Sequence, residues 1–250
     1  MYAAARTRLA LVAALFLVAA LGWVWTGHAM EGMDSGPWSG LGSLGWFLGI
    51  WVVMMAAMML PSVAPTIALY NRLQKSRSPL SPWLFVSGYL LTWTVAGLAA
   101  YGIGVGARAW SGDALRWDGS GRALAGATLV LAAGYELTPL KDVCLGHCRS
   151  PLGALLGSWR EGLVGSVRMG VRNGAWCVGC CWALMASLFA LGVMSVTWMA
   201  LVAGIIAAEK VAPWRRVTWA TAGLLLVLGL FLLLAPEALP GLTTPSGMTM

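Results

Sequence analysis

Residues 41–60 read LGSLGWFLGIWVVMMAAMML, and no residue in the stretch carries a charge. An α-helix rises about 1.5 Å per residue, so a run of this length covers about 30 Å, the hydrocarbon thickness of a bilayer. Six further apolar runs lie on either side of it, at residues 9–26, 83–107, 122–140, 175–193, 196–208 and 217–235. The chain is 59% hydrophobic and 10% charged, against roughly 25% charged in an average soluble domain. There is too little polar surface to cover a soluble core of this size, so lipid is the expected solvent. The expected fold is all-α: a polytopic transmembrane helix bundle of about seven spans, forming a single integral membrane domain over residues 1–250.

The distribution of basic residues orients these spans. Thirteen of the sixteen lysines and arginines fall in the N-terminal segment and in the loops that follow the second, fourth and sixth runs. Arg108, Arg116 and Arg122 fall on the opposite side. Positive charge is retained in the cytoplasm, which places the N-terminus inside and the C-terminal tail, residues 236–250, outside. That assignment needs a hairpin near residues 192–195, because Arg172 precedes the fifth and sixth runs while Lys210, Arg215 and Arg216 follow them. The expected home is a bacterial inner membrane. The first run could also be read as a signal peptide, but its apolar stretch is longer than a usual h-region, which favours a retained helix. The net charge of +7 forms no continuous basic face, so its partner is anionic lipid and not nucleic acid. Many of the fifteen tryptophans, Trp23, Trp46, Trp83 and Trp214 among them, sit near run ends, where an indole settles at the interface.

The longest cytoplasmic loop, residues 141–174, repeats Leu152, Leu155, Leu156, Trp159, Leu163 and Val167 at helical spacing. This predicts an amphipathic helix on the membrane surface between spans four and five. All five cysteines lie in this loop or at the mouth of the fifth span. The cytosol keeps thiols reduced, which favours metal binding or reactive-thiol chemistry over structural disulfides. Cys144, His147 and Cys148 share the offsets i, i+3 and i+4 with Cys177, Cys180 and Cys181, and on a helix those offsets share one face. Met185 extends the second stripe by one turn, and Lys141, Arg149 and Arg172 would favour thiolates nearby. Thiolate, imidazole and thioether suit Cu(I), with Zn(II) the second choice.

Two methionine-rich patches offer secondary ligands. Met54, Met55, Met58 and Met59 form a strip at the end of the second run. His28, Met30 and Met33 lie in or beside the first extracytoplasmic loop, residues 27–40. Methionine also fills gaps in apolar helices and cysteine is a common small core residue, so packing is the competing account of each cluster. Pro61 and Pro65 are expected to end the second helix. Glu136 is the acidic residue deepest in the fourth run, a candidate for a proton or metal role because burying it is costly. No nucleotide loop, catalytic triad or carboxylate pair is present, and Gly102, Gly104 and Gly106 inside a membrane run read as helix packing.

Five stretches taken together resemble a known family: WVVMMAAMMLPSVAP (51–65), GYELTPLKDVCLGHCRSPL (134–152), WREGLVGSVRMGVRNGAWCVGCCWALM (159–185), GVMSVTWM (192–199) and the pair Glu209–Lys210. The family is a bacterial group of predicted metal-binding integral membrane proteins of unknown function, some labelled copper chaperones. The resemblance spans roughly residues 45–212. It implies membrane residence and metal binding, with Cys144, His147, Cys148, Cys177, Cys180 and Cys181 as the ligands. Two positions depart from the family pattern: Glu136 stands where glutamine is usual, and Asn173 where histidine is usual. The resulting expectation is metal trafficking or transfer without catalysis, with a copper enzyme or metal-donor protein as partner. The alternatives are a membrane thiol–disulfide oxidoreductase using the Cys-X-X-Cys, and a non-catalytic accessory subunit of a membrane complex.

Overall fold

The computed structural model describes residues 2–30, 42–74, 78–111, 121–157, 159–191, 196–212 and 214–234. Among these residues the secondary structure is helical. The helices are α1 (Tyr2–Met30), α2 (Leu44–Leu73), α3 (Ser81–Ser111), α4 (Arg122–Glu136), α5 (Pro139–Arg149), α6 (Pro151–Leu156), α7 (Gly162–Leu191), α8 (Val196–Val211) and α9 (Arg215–Leu234). Four segments are long and apolar enough to cross a bilayer: Leu9–Ala29, Leu44–Leu73, Ser81–Ala107 and Arg215–Leu234. A fifth is available if α4 and α5, bent by 68°, are one broken span. That is fewer than the seven runs the sequence suggests. At 16 residues α8 is about 24 Å long, short of the full hydrocarbon thickness. The expected hairpin at 192–195 lies outside the described residues.

Three helix boundaries differ from expectation. α2 continues past Pro61 and Pro65 to Leu73, although each proline removes a helix hydrogen bond. Burial outweighs that loss, since Leu60, Ala64, Ile67 and Tyr70 are almost fully enclosed. Ser62 Oγ, between the two prolines, donates to the Met59 carbonyl at 2.8 Å. The fourth run, expected as one helix, breaks after Glu136. Thr138 Oγ1 accepts from the Lys141 N–H at 3.3 Å, and Pro139 takes the first helical position, so a new helix starts there. The loop expected to carry one amphipathic surface helix instead holds α5, α6 and the first turns of α7. Gly162, at φ 85°, turns the chain into α7. Of the apolar repeat, Leu155 is buried, while Leu152, Leu156 and Leu163 are exposed.

The chain divides into two compact units. The first comprises Met1–Ala29, Gly45–Leu98 and Val143–Cys180. Its helices approach through small residues. A Cβ on Gly88 of α3 would collide with the Val167 carbonyl of α7, and one on Gly170 of α7 would collide with the Phe85 carbonyl of α3. One turn on, a Cβ at Gly174 would lie 3.0 Å from the Tyr89 carbonyl. Thr92 Oγ1 donates to the Val171 carbonyl, and Tyr70 of α2 bonds Ser166 of α7 at 2.7 Å. Ser166, Gly170 and Gly174 are spaced by four residues, the small-residue pattern that brings membrane helices into backbone contact.

The second unit comprises Met30–Leu44, Ala99–Asp142 and Cys181–Met250. Here α4 and α9 meet glycine to glycine: a Cβ on Gly126 would lie 3.0 Å from the Gly229 carbonyl, and one on Gly229 equally close to the Gly126 carbonyl. α9 buries Thr218, Thr221, Ala222, Leu225, Gly229 and Leu232 and exposes Leu226, Val227, Leu230 and Phe231. Large apolar side chains on the outward face, with small and polar residues at the helix contact, are consistent with a membrane protein.

Candidate metal centre

The site begins with the helix α7. Helical geometry puts Cys177, Cys180 and Cys181 on one face, and their sulfur atoms all lie within 4.8 Å of one another. All three are buried. The Cys180 thiol donates to the Cys177 carbonyl at 3.2 Å.

Two other helices are fitted against this face. α5 docks through Cys144, whose sulfur would lie 2.8 Å from a Cβ at Gly179; only glycine leaves room for it. One turn further along α5, Cys148 Sγ reaches Cys180 Sγ at 3.6 Å. Two thiolates bound to one tetrahedral ion at about 2.3 Å each are about 3.8 Å apart, so this separation suits shared ligation. A disulfide requires about 2.05 Å, and none of the five cysteines forms one. From α3, the Tyr89 hydroxyl donates to Cys177 Sγ at 3.0 Å, with both groups enclosed. That donor can remain on the sulfur when an ion displaces the thiol proton.

Other candidates lie elsewhere. His147 stacks on Trp176, with ring centroids 3.9 Å apart and planes 8° from parallel. Its Nδ1 lies 2.9 Å from the Val143 carbonyl and, facing an acceptor, must carry the proton in that bond. His147 is not one of the three residues of the buried thiol group. Met185 is buried one turn beyond Cys181. Met54, Met55, Met58 and Met59 are all buried in α2, each 5% exposed or less. His28 is exposed near the end of α1. The side chain of Met30, and Met33 altogether, lie outside the described residues.

Lys141 was expected to favour thiolates, but it is used otherwise. Its Nζ donates to Glu136 Oε1 at 2.7 Å and to Glu209 Oε2 at 2.8 Å, with all three side chains at 0–2% exposure. The 68° break between α4 and α5 is what turns Lys141 back toward Glu136. Arg172 is exposed and Arg149 half-buried.

Two participants and one pairing escaped the sequence reading. Tyr89 lies in an apolar run with nothing to mark it as a partner of a cysteine 88 residues away. Gly179 matters only through the tertiary approach of α5. Glu209 and Lys141 are 68 residues apart, although the Glu136/Lys141 spacing alone hinted at a pair.

Fold and site together define an all-helical protein with several bilayer-length apolar helices and a buried thiol cluster able to hold a metal ion. Residues 48–232 match the family model of the PpoB2 copper chaperones, and the chain belongs to that family. The match reaches past residue 212, where the motif resemblance ends, into α9. No curated protein and no solved structure matches the chain.

Proposed function

We propose that this protein binds a soft metal ion, Cu(I) in preference to Zn(II), as cargo at the thiols of α7 and α5 within a bilayer. Cys177, Cys180 and Cys181 are the core ligands, Cys148 completes the set, and Cys144 and Met185 stand in reserve. The observation that carries this is the convergence of a fourth sulfur, Cys148 at 3.6 Å from Cys180, on a helix face that already presents three. Thiolates prefer Cu(I) and Zn(II) over oxygen-loving ions, and family membership favours copper. His147, Glu136 and the α2 methionines fall outside this ligand set. The outer cluster at His28, Met30 and Met33 would collect the ion from the far side.

In the bilayer reading, α7 and α8 add two spans for a total of seven. The basic loops face the cytoplasm of a bacterial inner membrane, so the thiols open toward the reducing compartment and a copper enzyme or metal-donor protein there. The test is elemental analysis of the detergent-purified protein after Cu(I) loading under reducing conditions. Wild type is expected to hold about one ion per chain, and Cys177→Ser/Cys181→Ser to hold none. A wild-type protein that takes up no Cu(I) would refute the reading. The oxidoreductase alternative gains its support from the same Cys148–Cys180 contact. It requires a disulfide between two of the thiols in cells, which acid-quenched thiol trapping would reveal.

A further inference from the structure

The buried cluster of Glu136, Lys141 and Glu209 belongs to the second unit. It contains two carboxylates and one ammonium. Fully ionised, its three side chains sum to a charge of −1 at 0–2% exposure. Such a charge is costly to bury unless something neutralises it.

Its geometry shows where the neutralising charge goes. Lys141 occupies one oxygen of each glutamate, Oε1 of Glu136 and Oε2 of Glu209. The remaining oxygen of Glu136, Oε2, is buried without a hydrogen-bond partner among the described residues. The two carboxyl groups also lie within hydrogen-bonding reach of each other. Carboxylate oxygens are acceptors only, so their contact becomes a bond when one of them carries a proton.

The charged groups acting on Glu136 are Lys141 and Glu209, and those acting on Lys141 are the two glutamates. Asp142 on α5 and Arg215 on α9 pair with each other at 2.6 Å, both exposed. Arg216 is exposed and Lys210 half-buried.

We propose that Glu136, Glu209 and Lys141 form a binding site for one exchangeable proton, shared between the two carboxyl groups and held in place by the lysine. Taking the proton from water brings the cluster from a charge of −1 to neutral; releasing it restores the charge. Buried carboxylates held in this way are the usual carriers of protons across apolar regions.

Infrared difference spectroscopy on the full-length protein in detergent, labelled with ¹³C-carboxyl glutamate, tests this. Wild type is expected to show a protonated glutamate carbonyl band at neutral pH, shifted in D₂O and lost as the pH is raised. Glu136→Gln and Glu209→Gln are each expected to lose the band completely while remaining folded by near-ultraviolet circular dichroism, because one carboxylate then balances Lys141. Absence of the band in folded wild type at neutral pH would overturn the proposal, and so would its persistence in both variants. Replacement of the band by carboxylate signal on adding Na⁺ or K⁺ at fixed pH would overturn it in favour of a metal cation. Should either glutamine variant fail to fold, the wild-type titration and the other variant decide.

Discussion

Tyr89 donates its hydroxyl to Cys177 from a helix that contributes no sulfur to the cluster. Its side chain is fully enclosed, which limits the orientations open to the hydroxyl. Groups that hold a ligand atom in place without touching the metal commonly change affinity by about 10–100-fold. Tyr89→Phe is therefore expected to weaken Cu(I) binding about tenfold, with the number of ions per chain unchanged. Competition against a Cu(I)-specific chelator reads both quantities at once, and an unaltered affinity would reduce Tyr89 to a packing residue. Cys148→Ser is expected to weaken binding further than Tyr89→Phe, since it removes a sulfur and not merely its support. His147→Ala is expected to leave the Cu(I) affinity within about twofold of wild type, because His147 is not one of the residues of the buried thiol group. A loss of bound copper in that variant, measured by the same titration, would bring the imidazole back into the ligand set.

At the scale of elements, the site depends on how closely α3 and α7 can approach. A methyl group on Gly170 would collide with the Phe85 carbonyl, whereas one on Gly146 in α5 would meet nothing within 4 Å. Alanine gains about 1 kcal/mol over glycine in a helix interior. At Gly146 that gain is free, and Gly146→Ala should raise the thermal midpoint slightly. At Gly170 it is opposed by overpacking of about 1–3 kcal/mol, so Gly170→Ala should lower the midpoint and loosen the Tyr89–Cys177 contact. Thermal unfolding in detergent, the two variants side by side, gives opposite signs if backbone contact between α3 and α7 builds the site. What could be read from the sequence divides along the same line. The offsets of Cys177, Cys180 and Cys181 declare a shared face because helical periodicity is local. The docking of α5 was hidden, since it needs the absent side chain of Gly179 and the bend at Thr138–Pro139. The prolines of α2 misled for a related reason: their local cost is outweighed by burial around Ile67 and Tyr70, which no local pattern records. The leucine repeat of residues 152–163 suggested one helix, but Pro151, Gly157 and Gly162 divide the segment.

For the whole molecule, the question is which solvent the apolar exterior meets. Val227 lies near the middle of α9, half exposed, on the same outward stripe as Leu230 and Phe231. On a water-facing surface, a charge placed there would cost within about 0.5 kcal/mol of nothing. At the centre of a bilayer-spanning helix, a lysine costs about 2.5–3.5 kcal/mol, a drop of roughly two orders of magnitude in the insertion equilibrium. Val227→Lys is therefore expected to reduce markedly the fraction of α9 that inserts in a glycosylation-based membrane-insertion assay. The Lys substitution at Trp214, exposed just before the helix on the basic side, should leave insertion unchanged or improve it. The contrast between the two positions carries the weight, because general destabilisation would affect both while a hydrocarbon slab affects only the first. Equal tolerance at Val227 and Trp214 would mean that α9 does not cross the bilayer, and that its outward leucines meet another protein surface. Loss at Val227 alone would fix α9 as a span with Arg215 and Arg216 at its membrane boundary.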